Sequence, residues 1–403
     1  MKAFFSKFLR LDPVMLASML GLVWMGIKLI QSAGGARASA ALQDLWTVHA
    51  WTAAIGLVIY MVLASIDYRK LLDWCAGPVF ALAAVMLVAV LIVGSVRYGG
   101  RRWLWFFQPS ELAKLAVILF LAHVFGRQPK KDDGPPRRFG WIGGLCGLAI
   151  FAVPAALILA EPDLGTALVL VPTAFVMLLA ARVWLKGLVT FLLVGLLAAG
   201  LVLGSVYAAE RQSQPEARAR IYSHLPLREH QVKRLRVFLF PDRDIHGDGY
   251  NLRQARISIG SGSWWGKGLG KGSLKRLGYL PPAVSMNDFI FAVLAEELGF
   301  MGCLSLLLLY LGVLLPGLRI AWRCEDDRGR LLAIGACTLV FAHVYVNIAM
   351  TIGLMPITGL PLPLISAGRT FLVVVMAALG LVQSVAMHTQ HTSTPFTGEK
   401  QWQ

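Results

Sequence analysis

The sequence predicts an all-α polytopic membrane protein of about ten transmembrane helices, with a large extracytoplasmic loop between helices 7 and 8. Of its 403 residues, 57% are apolar and only 15% are charged, whereas soluble domains carry about 25% charged residues. The apolar residues fall in blocks close to the roughly 20 residues that a helix needs to cross hydrocarbon. These observations exclude an ordinary soluble protein and favour a single integral membrane domain over residues 1–403.

Ten apolar blocks make up most of the chain. The first runs from about Pro13 to Ile30 and follows Lys2, Lys7 and Arg10, so that it resembles a signal peptide. The block is long for a cleaved signal and many spans follow it, which favours an uncleaved first helix with a cytoplasmic N-terminus. The other blocks cover approximately 46–66, 74–96, 109–126, 141–160, 164–183, 186–207, 288–320, 330–353 and 362–388.

The distribution of charge predicts the orientation. With ten spans both termini lie on one side, and the segments on that side hold most of the Lys and Arg residues outside the large loop, which is typical of the cytoplasmic face. The polar tail 388–403 is therefore expected in the cytoplasm. The net charge of +16 is attributed to topology, anionic lipids or an anionic substrate, and nucleic acid is not an expected partner. The five cysteines lack disulfide or zinc-site spacing.

The predicted loop 207–287 is too long to be a simple connection. It carries 14 basic and 6 acidic residues, and apolar anchors such as Trp264 and Trp265 argue against disorder. We expect the loop to fold back onto the membrane surface. Its basicity has two possible origins, which are anionic lipid headgroups and a phosphorylated substrate at the outer surface.

Charged residues at the ends of spans mark candidate functional sites, because such groups are costly in a membrane unless they are paired or hydrated. Glu111 and Lys114 share one helix face at i,i+3 and are expected to pair, either for structure or for function. Asp163, after Glu161 and Pro162, is expected to N-cap the sixth span.

Asp288 opens the predicted eighth span beside the basic loop. A carboxylate there is well placed as a general base, although a helix cap at Asn287 or Asp288 is the simpler structural interpretation. His343 and Asn347, at i,i+4 in the ninth span, are expected to make interhelical hydrogen bonds. No metal-ligating spacing occurs there.

The glycine-rich stretch 260–273 invites comparison with a phosphate-binding loop. It lacks the P-loop spacing, and no buried strand precedes it. Its exposed amides with Lys267 and Lys271 could still cradle an anion, and a merely flexible loop is the competing interpretation.

Several segments together resemble the SEDS proteins, the shape, elongation, division and sporulation polymerases of bacterial cell walls. They are FQPSELAK, EPDLGTA, FPDRDIHGDGYNLRQARISIGSGSWWGKGLGKGSLKRLGYLP, NDFIFAVLAEELGF and NIAMTIGLMPITGLPLPLIS, between about Arg101 and Gln383. The stretch from Pro356 to Pro363 is RodA-like more than FtsW-like. Met286 and Asn287 replace the family's usual His-Thr before the Asp, and Ala367 and Arg369 also depart from its usual pattern.

This resemblance implies a peptidoglycan glycosyltransferase that polymerises lipid II at the outer face of the bacterial cytoplasmic membrane, with a class B penicillin-binding protein as partner. It implies that Asp288 is the essential acid and that five further residues bind substrate; these are Arg102, Glu111, Lys114, Asp163 and Arg234. The base would take a proton from the acceptor sugar hydroxyl. Arg234, Lys114, the Lys267 loop or a divalent cation, Mg²⁺ or Mn²⁺, would stabilise the departing lipid pyrophosphate. No other cofactor is implied.

Two rival functions remain open from the sequence. A lipid II flippase would place its paired charges near the bilayer midplane and interrupt its spans. A scaffold for the penicillin-binding protein would not need Asp288 at all.

Overall fold

The structure is a computed structural model that describes residues 11–34, 40–97, 100–105, 107–126, 139–161, 163–212, 214–225, 227, 229–244, 247–273 and 278–389. The predicted tail 388–403 lies outside the described residues from position 390 onward, and the basic residues ahead of the first span also lie outside them.

The described chain is almost entirely helical. The helices are α1 (Pro13–Ala33), α2 (Ala40–Gln43), α3 (Leu45–Ser65), α4 (Tyr68–Val93), α5 (Pro109–Gly126), α6 (Trp141–Ala160), α7 (Leu164–Ala180), α8 (Leu185–Arg211), α9 (Pro215–Ser223), α10 (Glu229–Leu239), α11 (Asp248–Ser261), α12 (Pro282–Met286), α13 (Ile290–Arg323), α14 (Asp327–Ile352) and α15 (Arg369–His388). A short antiparallel pair, β1 (Ser95–Arg97) and β2 (Gly100–Trp103), joins α4 to α5.

Nine of the described helices are long and apolar enough to cross a membrane, and α7 is a shorter apolar helix of 17 residues. At about 1.5 Å per residue, a 17-residue helix is at the lower end of the lengths that span hydrocarbon. Each of the ten predicted spans corresponds to one of these ten helices, with differences of up to seven residues at their ends. The prediction of an all-α polytopic membrane protein is therefore confirmed.

Local sequence sets where the spans begin and end. Aspartate side chains cap the N-termini of four of them, because each carboxylate accepts a free backbone N–H of the first turn; the capping residues are Asp12, Asp67, Asp163 and Asp326. Gly353 ends α14 in a left-handed conformation, with φ of 83°.

The tenth predicted span begins too early. It was expected from residue 362, whereas α15 begins at Arg369. Pro361 and Pro363 have no backbone N–H and disfavour helical geometry in the residues before them. Residues 353–368 consequently form a loop over the end of the bundle, which we call the 353–368 loop.

Buried and lipid-facing helices are clearly distinct. Most of α5, α14 and α15 is buried, and these helices pack against α3, α4 and α7 in the core. Helix α8 is largely exposed, with leucine side chains such as Leu193 and Leu197 on its surface. In a multi-pass membrane protein such apolar surfaces face the hydrocarbon.

Successive spans run in opposite directions, so the bundle has two ends. At one end α5, α7, α13 and α15 begin; we call it the site end. At the other end ion pairs join the connections, with Arg69 bonded to Asp326 at 3.1 Å and Arg328 to Asp73 at 3.1 Å. Helices α9 to α12, from the predicted loop, follow the site end of α8.

Candidate active site

Asp288 lies in the short turn between α12 and α13. Hydrogen bonds from α14 and from the 353–368 loop hold this turn. Three successive backbone carbonyls of the turn each accept a hydrogen bond from a neighbouring segment. Ala367 N donates to Met286 O at 3.2 Å, Ser366 Oγ to Asn287 O at 2.7 Å, and Asn347 Nδ2 to Asp288 O at 3.0 Å. Buried carbonyls need such partners, so α14 and the 353–368 loop fix the backbone that carries the acid.

The Asp288 side chain caps neither helix. Neither α12 nor α13 has a side-chain N-cap, and the residue at the N-cap of α13 is Phe289. The simpler structural interpretation of Asp288 is therefore wrong. Since the carboxylate is not used to satisfy the helix, it is available for chemistry.

The charges of two arginines and one aspartate affect the pKa of Asp288. Burial raises the pKa of Asp288 to about 6, with Asp248 adding to the rise, while the charges of Arg234 and Arg102 oppose it. Asp288 precedes the first residue of α13, so it lies outside the span. A pKa near 6 leaves the carboxylate ionised at neutral pH but still basic enough to accept a proton.

Gly359 lies beside both Arg234 and Asp288. Arg234 Nη1 donates to Thr358 O at 2.9 Å. A Cβ atom at Gly359 would lie 3.6 Å from Asp288 Oδ2 and 3.8 Å from Arg234 Nη2, so the two charged groups flank the same point. Gly359 also has φ of 74°, a conformation that favours glycine.

A second group of charges lies inside the bundle, within the first two turns of α5. Lys114 Nζ is 2.8 Å from Glu111 Oε2, and the two side chains are 0% and 3% exposed. Lys114 also donates to His343 Nε2 at 2.8 Å, and it lies 4.9 Å from the centroid of the Phe371 ring. The predicted pair is confirmed, and His343 makes the expected interhelical bond.

Asp163 forms a third group where α7 begins. Its carboxylate accepts from Thr166 N at 3.1 Å, which confirms the predicted N-cap. It also accepts from Gln108 Nε2 at 3.2 Å and lies 3.7 Å from Arg102 Nη1. Arg102 and Asp163 were predicted to bind substrate from different segments, and the structure brings them together.

The three groups form one electrostatic neighbourhood. The charge of Arg102 acts on Asp288, and the charge of Asp163 acts on Glu111. The site end therefore combines the Asp288 carboxylate with three cations, of which Arg102 and Lys114 are paired with Asp163 and Glu111 and Arg234 lies beside Asp288. Such an arrangement can remove a proton from one group while it stabilises negative charge on another.

Lys267 and Lys271, the two lysines of the glycine-rich stretch, have different surroundings from the cations near Asp288. Lys267 Nζ is 2.7 Å from Glu296 Oε1, so the structure gives it a carboxylate partner in α13. Lys271 is exposed, and its backbone N–H donates to Gly268 O at 3.1 Å. Their binding of substrate stays a prediction.

The segment that contains these lysines lies against a break in α13. Gly299 has φ of 66° within the helix, and Lys267 N and Gly268 N donate to Glu296 O and Glu297 O at 3.0 and 2.9 Å. The glycine-rich stretch thus satisfies carbonyls at the break. Over its described residues it is fixed to the bundle, which disfavours the merely flexible alternative.

Sequence reasoning missed several residues that shape the site. The Ser366 hydroxyl bonds the backbone of Asn287, and Gly359 lies beside the side chains of Asp288 and Arg234. These partners are distant in the sequence, and local spacing does not reveal such contacts. Asn347 was selected as a hydrogen-bonding residue, but not as the donor to Asp288 O and, at 2.7 Å, to Leu360 O.

Asn347→Leu is expected to lower the rate of the reaction that uses Asp288. Leucine keeps the volume but leaves the Asp288 carbonyl of the turn and the Leu360 carbonyl of the 353–368 loop without this donor, which costs about 1–3 kcal/mol per buried group. We expect a fall in kcat of about tenfold or more with a small change in KM, measured on purified protein. Thr338→Val, elsewhere on α14, is the control. Equal losses in kcat for both variants would contradict a positioning role for Asn347.

Comparison with known proteins identifies the family of the chain. A family model described as cell cycle protein, for FtsW, RodA and SpoVE, matches residues 13–391. The chain belongs to this family. The SEDS resemblance is confirmed, since these are the family's division, elongation and sporulation members.

Individual relatives cover almost the whole chain. The peptidoglycan glycosyltransferase MrdB of Escherichia coli K12 is 36% identical over 399 residues, 97% of each protein. The rod shape determining protein RodA of Thermus thermophilus has a solved structure that matches with a TM-score of 0.64 at 26% identity, over 94% of this chain and 97% of that one. A chain from a peptidoglycan synthase complex that coordinates polymerization and crosslinking matches with a TM-score of 0.69 at 28% identity, over 93% and 97%.

The described residues contain no group of three or more His, Cys, Asp or Glu side chains that could hold a metal ion. These side chains therefore do not fit a cation site made by protein alone, and we derive no step through a metal. A divalent cation held largely by substrate phosphates stays a prediction, which glycan synthesis with and without a chelator tests.

Proposed function

We propose that the chain is a peptidoglycan glycosyltransferase that polymerises lipid II into β-1,4-linked glycan strands during cell elongation. The observation that carries this proposal is the fixed turn with Asp288 at the site end, flanked by Arg234 and close to the charge of Arg102. The relatives named MrdB and RodA support the activity and the elongation role.

Asp288 acts as the general base. A sugar hydroxyl is a weak nucleophile, so Asp288 takes the proton from the 4-OH of the acceptor GlcNAc as that oxygen attacks the anomeric carbon of the donor MurNAc. Attack from the face opposite the leaving group inverts the α-linked carbon to a β-linkage. The backbone hydrogen bonds to 286–288 keep the carboxylate in position, which reduces the cost of orienting it during the reaction.

Cationic side chains stabilise the leaving group. As the bond to the lipid pyrophosphate breaks, its electron pair and negative charge pass to the pyrophosphate oxygen. Arg234 lies beside Asp288 and is placed to bind this charge, and Arg102 and Lys114, which are paired with Asp163 and Glu111, are further cations at the same end. Cations oriented before the reaction lower its barrier because they need little reorganisation.

The site end faces the outer surface of the cytoplasmic membrane in this proposal, and both termini are cytoplasmic. The excess of Lys and Arg in the short connections of the opposite end supports this orientation. Residues 207–287 then form the extracytoplasmic loop, and the polyprenyl tails lie between helices. The related chain from a synthase complex supports a class B penicillin-binding protein as partner.

The pH dependence of polymerisation follows from Asp288. With a pKa of about 6, the carboxylate is increasingly protonated below pH 6 and cannot accept the proton. We expect kcat/KM to fall by about tenfold per pH unit below about pH 6 and to level off toward neutral pH. Lipid II binding at each pH is the control, and a rate that is constant down to about pH 5 would contradict this assignment.

The depth of the charges distinguishes the polymerase from a flippase. A transporter is expected to bind near the bilayer midplane, whereas Glu111 and Lys114 lie in the first two turns of α5 and Asp288 precedes α13. The test uses purified protein in liposomes with labelled lipid II, with and without the partner. The proposal predicts glycan strands; translocation without polymer would favour the flippase.

A further inference from the structure

Glu161 is a buried acid for which the mechanism above has no role. It follows the last residue of α6 at the site end, and its backbone N–H bonds to Leu157 O and Ile158 O. Its side chain is 0% exposed. Both carboxylate oxygens are buried without a hydrogen-bond partner in the described part of the chain. Buried carboxyl oxygens rarely lack partners, so the group calls for a physical reason.

The surroundings of Glu161 disfavour a negative charge. Asp163 repels it, and Arg102 attracts it but already lies 3.7 Å from the carboxylate of Asp163. Asp163 has Thr166 and Gln108 as hydrogen-bond donors, whereas Glu161 has none among the described residues. When two acids share one region in this way, the better solvated or bonded one ionises and the other stays neutral.

The pKa of Glu161 agrees with this geometry. Burial and the charge of Asp163 raise it to about 8, and Arg102 opposes the rise. Glu161 lies between α6 and α7, outside both spans. At neutral pH the group is mostly a carboxylic acid, which has one O–H donor and one carbonyl acceptor.

We propose that Glu161 is an uncharged hydrogen-bonding residue that binds the diphosphate leaving group of the lipid-linked donor, beside Arg102. This inference rests on the proposed function. An O–H donor suits a diphosphate oxygen, and it would satisfy a group that is otherwise buried without a partner in the described chain. The proton stays on Glu161 throughout, and no covalent step is involved.

The charge balance explains why the residue must be neutral. Arg102 and Asp163 cancel each other, so a neutral Glu161 leaves this region without net charge. An ionised Glu161 would make it negative and repel an anion. Neighbouring elements carry other charges. Glu111 is paired with Lys114 on α5, and Glu210, at the end of α8 that also carries Arg211, is paired with Arg243.

The test measures binding of free polyprenyl diphosphate, the group that leaves the donor, to the full-length purified protein from about pH 6.5 to about pH 9.5. For the natural chain, affinity should decrease above about pH 8, where Glu161 ionises, with a limiting slope of about tenfold per pH unit. Glu161→Gln keeps a neutral donor, so its affinity at neutral pH should stay within about twofold and the alkaline fall should disappear. Glu161→Ala should bind about tenfold more weakly at neutral pH.

Two controls isolate the contribution of the Glu161 side chain to binding. Glu216→Gln on α9 removes the same charge at an exposed position and should behave as the natural chain. Polyprenyl monophosphate tests the lipid tail, and the variants should bind it alike. An alkaline fall that persists in Glu161→Gln, or unchanged binding by Glu161→Ala, would overturn the inference. Failure of the proposed function would appear separately, as absence of glycan from the natural chain with its partner.

Discussion

Asp288→Asn is expected to abolish glycan synthesis while leaving the fold intact. Asparagine keeps the size and the backbone bonds to 286–288, but its amide cannot accept the proton of the attacking hydroxyl. Loss of a general base lowers the rate by about 100- to 10,000-fold. The measurement is the rate of polymerisation of labelled lipid II by purified variants with the partner present, together with thermal unfolding in detergent.

Asp242→Asn provides the matched control, because it makes the same change at an exposed position between α10 and α11. Asp242 is 89% exposed and pairs with Arg253 at 3.0 Å. Exposed pairs contribute little, so this variant should polymerise lipid II at the natural rate. Equal rates for Asp288→Asn and Asp242→Asn would remove Asp288 as the base.

Lys114→Met is expected to produce the largest loss of stability. It leaves the carboxylate of Glu111 buried without its partner, and breaking a buried ion pair in this way costs about 3–5 kcal/mol. Glu111→Gln should destabilise for the same reason, since Lys114 then remains charged with only His343 and Phe371 beside it among its described contacts. Unfolding of the detergent-solubilised protein by heat or denaturant measures both.

The double variant Glu111→Gln/Lys114→Met separates stability from function. Removing both charges also removes the penalty for an unpaired charge, so most of the lost stability should return. Polymerisation should stay low, because the positive charge of Lys114 near the substrate is still missing. A double variant whose destabilisation equals the sum of the two single losses would contradict a coupled pair.

The sequence predicts the spans well because hydrocarbon imposes a length and a composition on each helix. It predicts Asp163 as a cap and Glu111 with Lys114 as a pair for a similar reason, since both are local relations within a helix. The predicted start of α15 was wrong because the apolar run of 362–368 has the composition of a span, while its prolines prevent the geometry.

Long-range relations in the site were not predictable from spacing. Lys267 was predicted as an anion-binding residue, whereas in the structure the glycine-rich segment lies at the break of α13 and Lys267 pairs with Glu296. Asn347 and Asp288 are 59 positions apart, and their hydrogen bond depends on how α14 packs beside the turn. Both carboxylate oxygens of Glu161 lack a hydrogen-bond partner among the described residues because of the packing where α6 meets α7, which no motif describes.

The central claim is that a carboxylate at residue 288 removes the acceptor's proton. Chemical rescue tests it most directly: the rate of glycan formation by Asp288→Ala is measured with increasing formate, a small base that fits the space left by the side chain. The account predicts negligible synthesis without formate and a rate that rises with formate concentration, while Asp288→Asn, whose side chain fills the space, is not rescued. Full activity of Asp288→Ala without any added base would contradict the account.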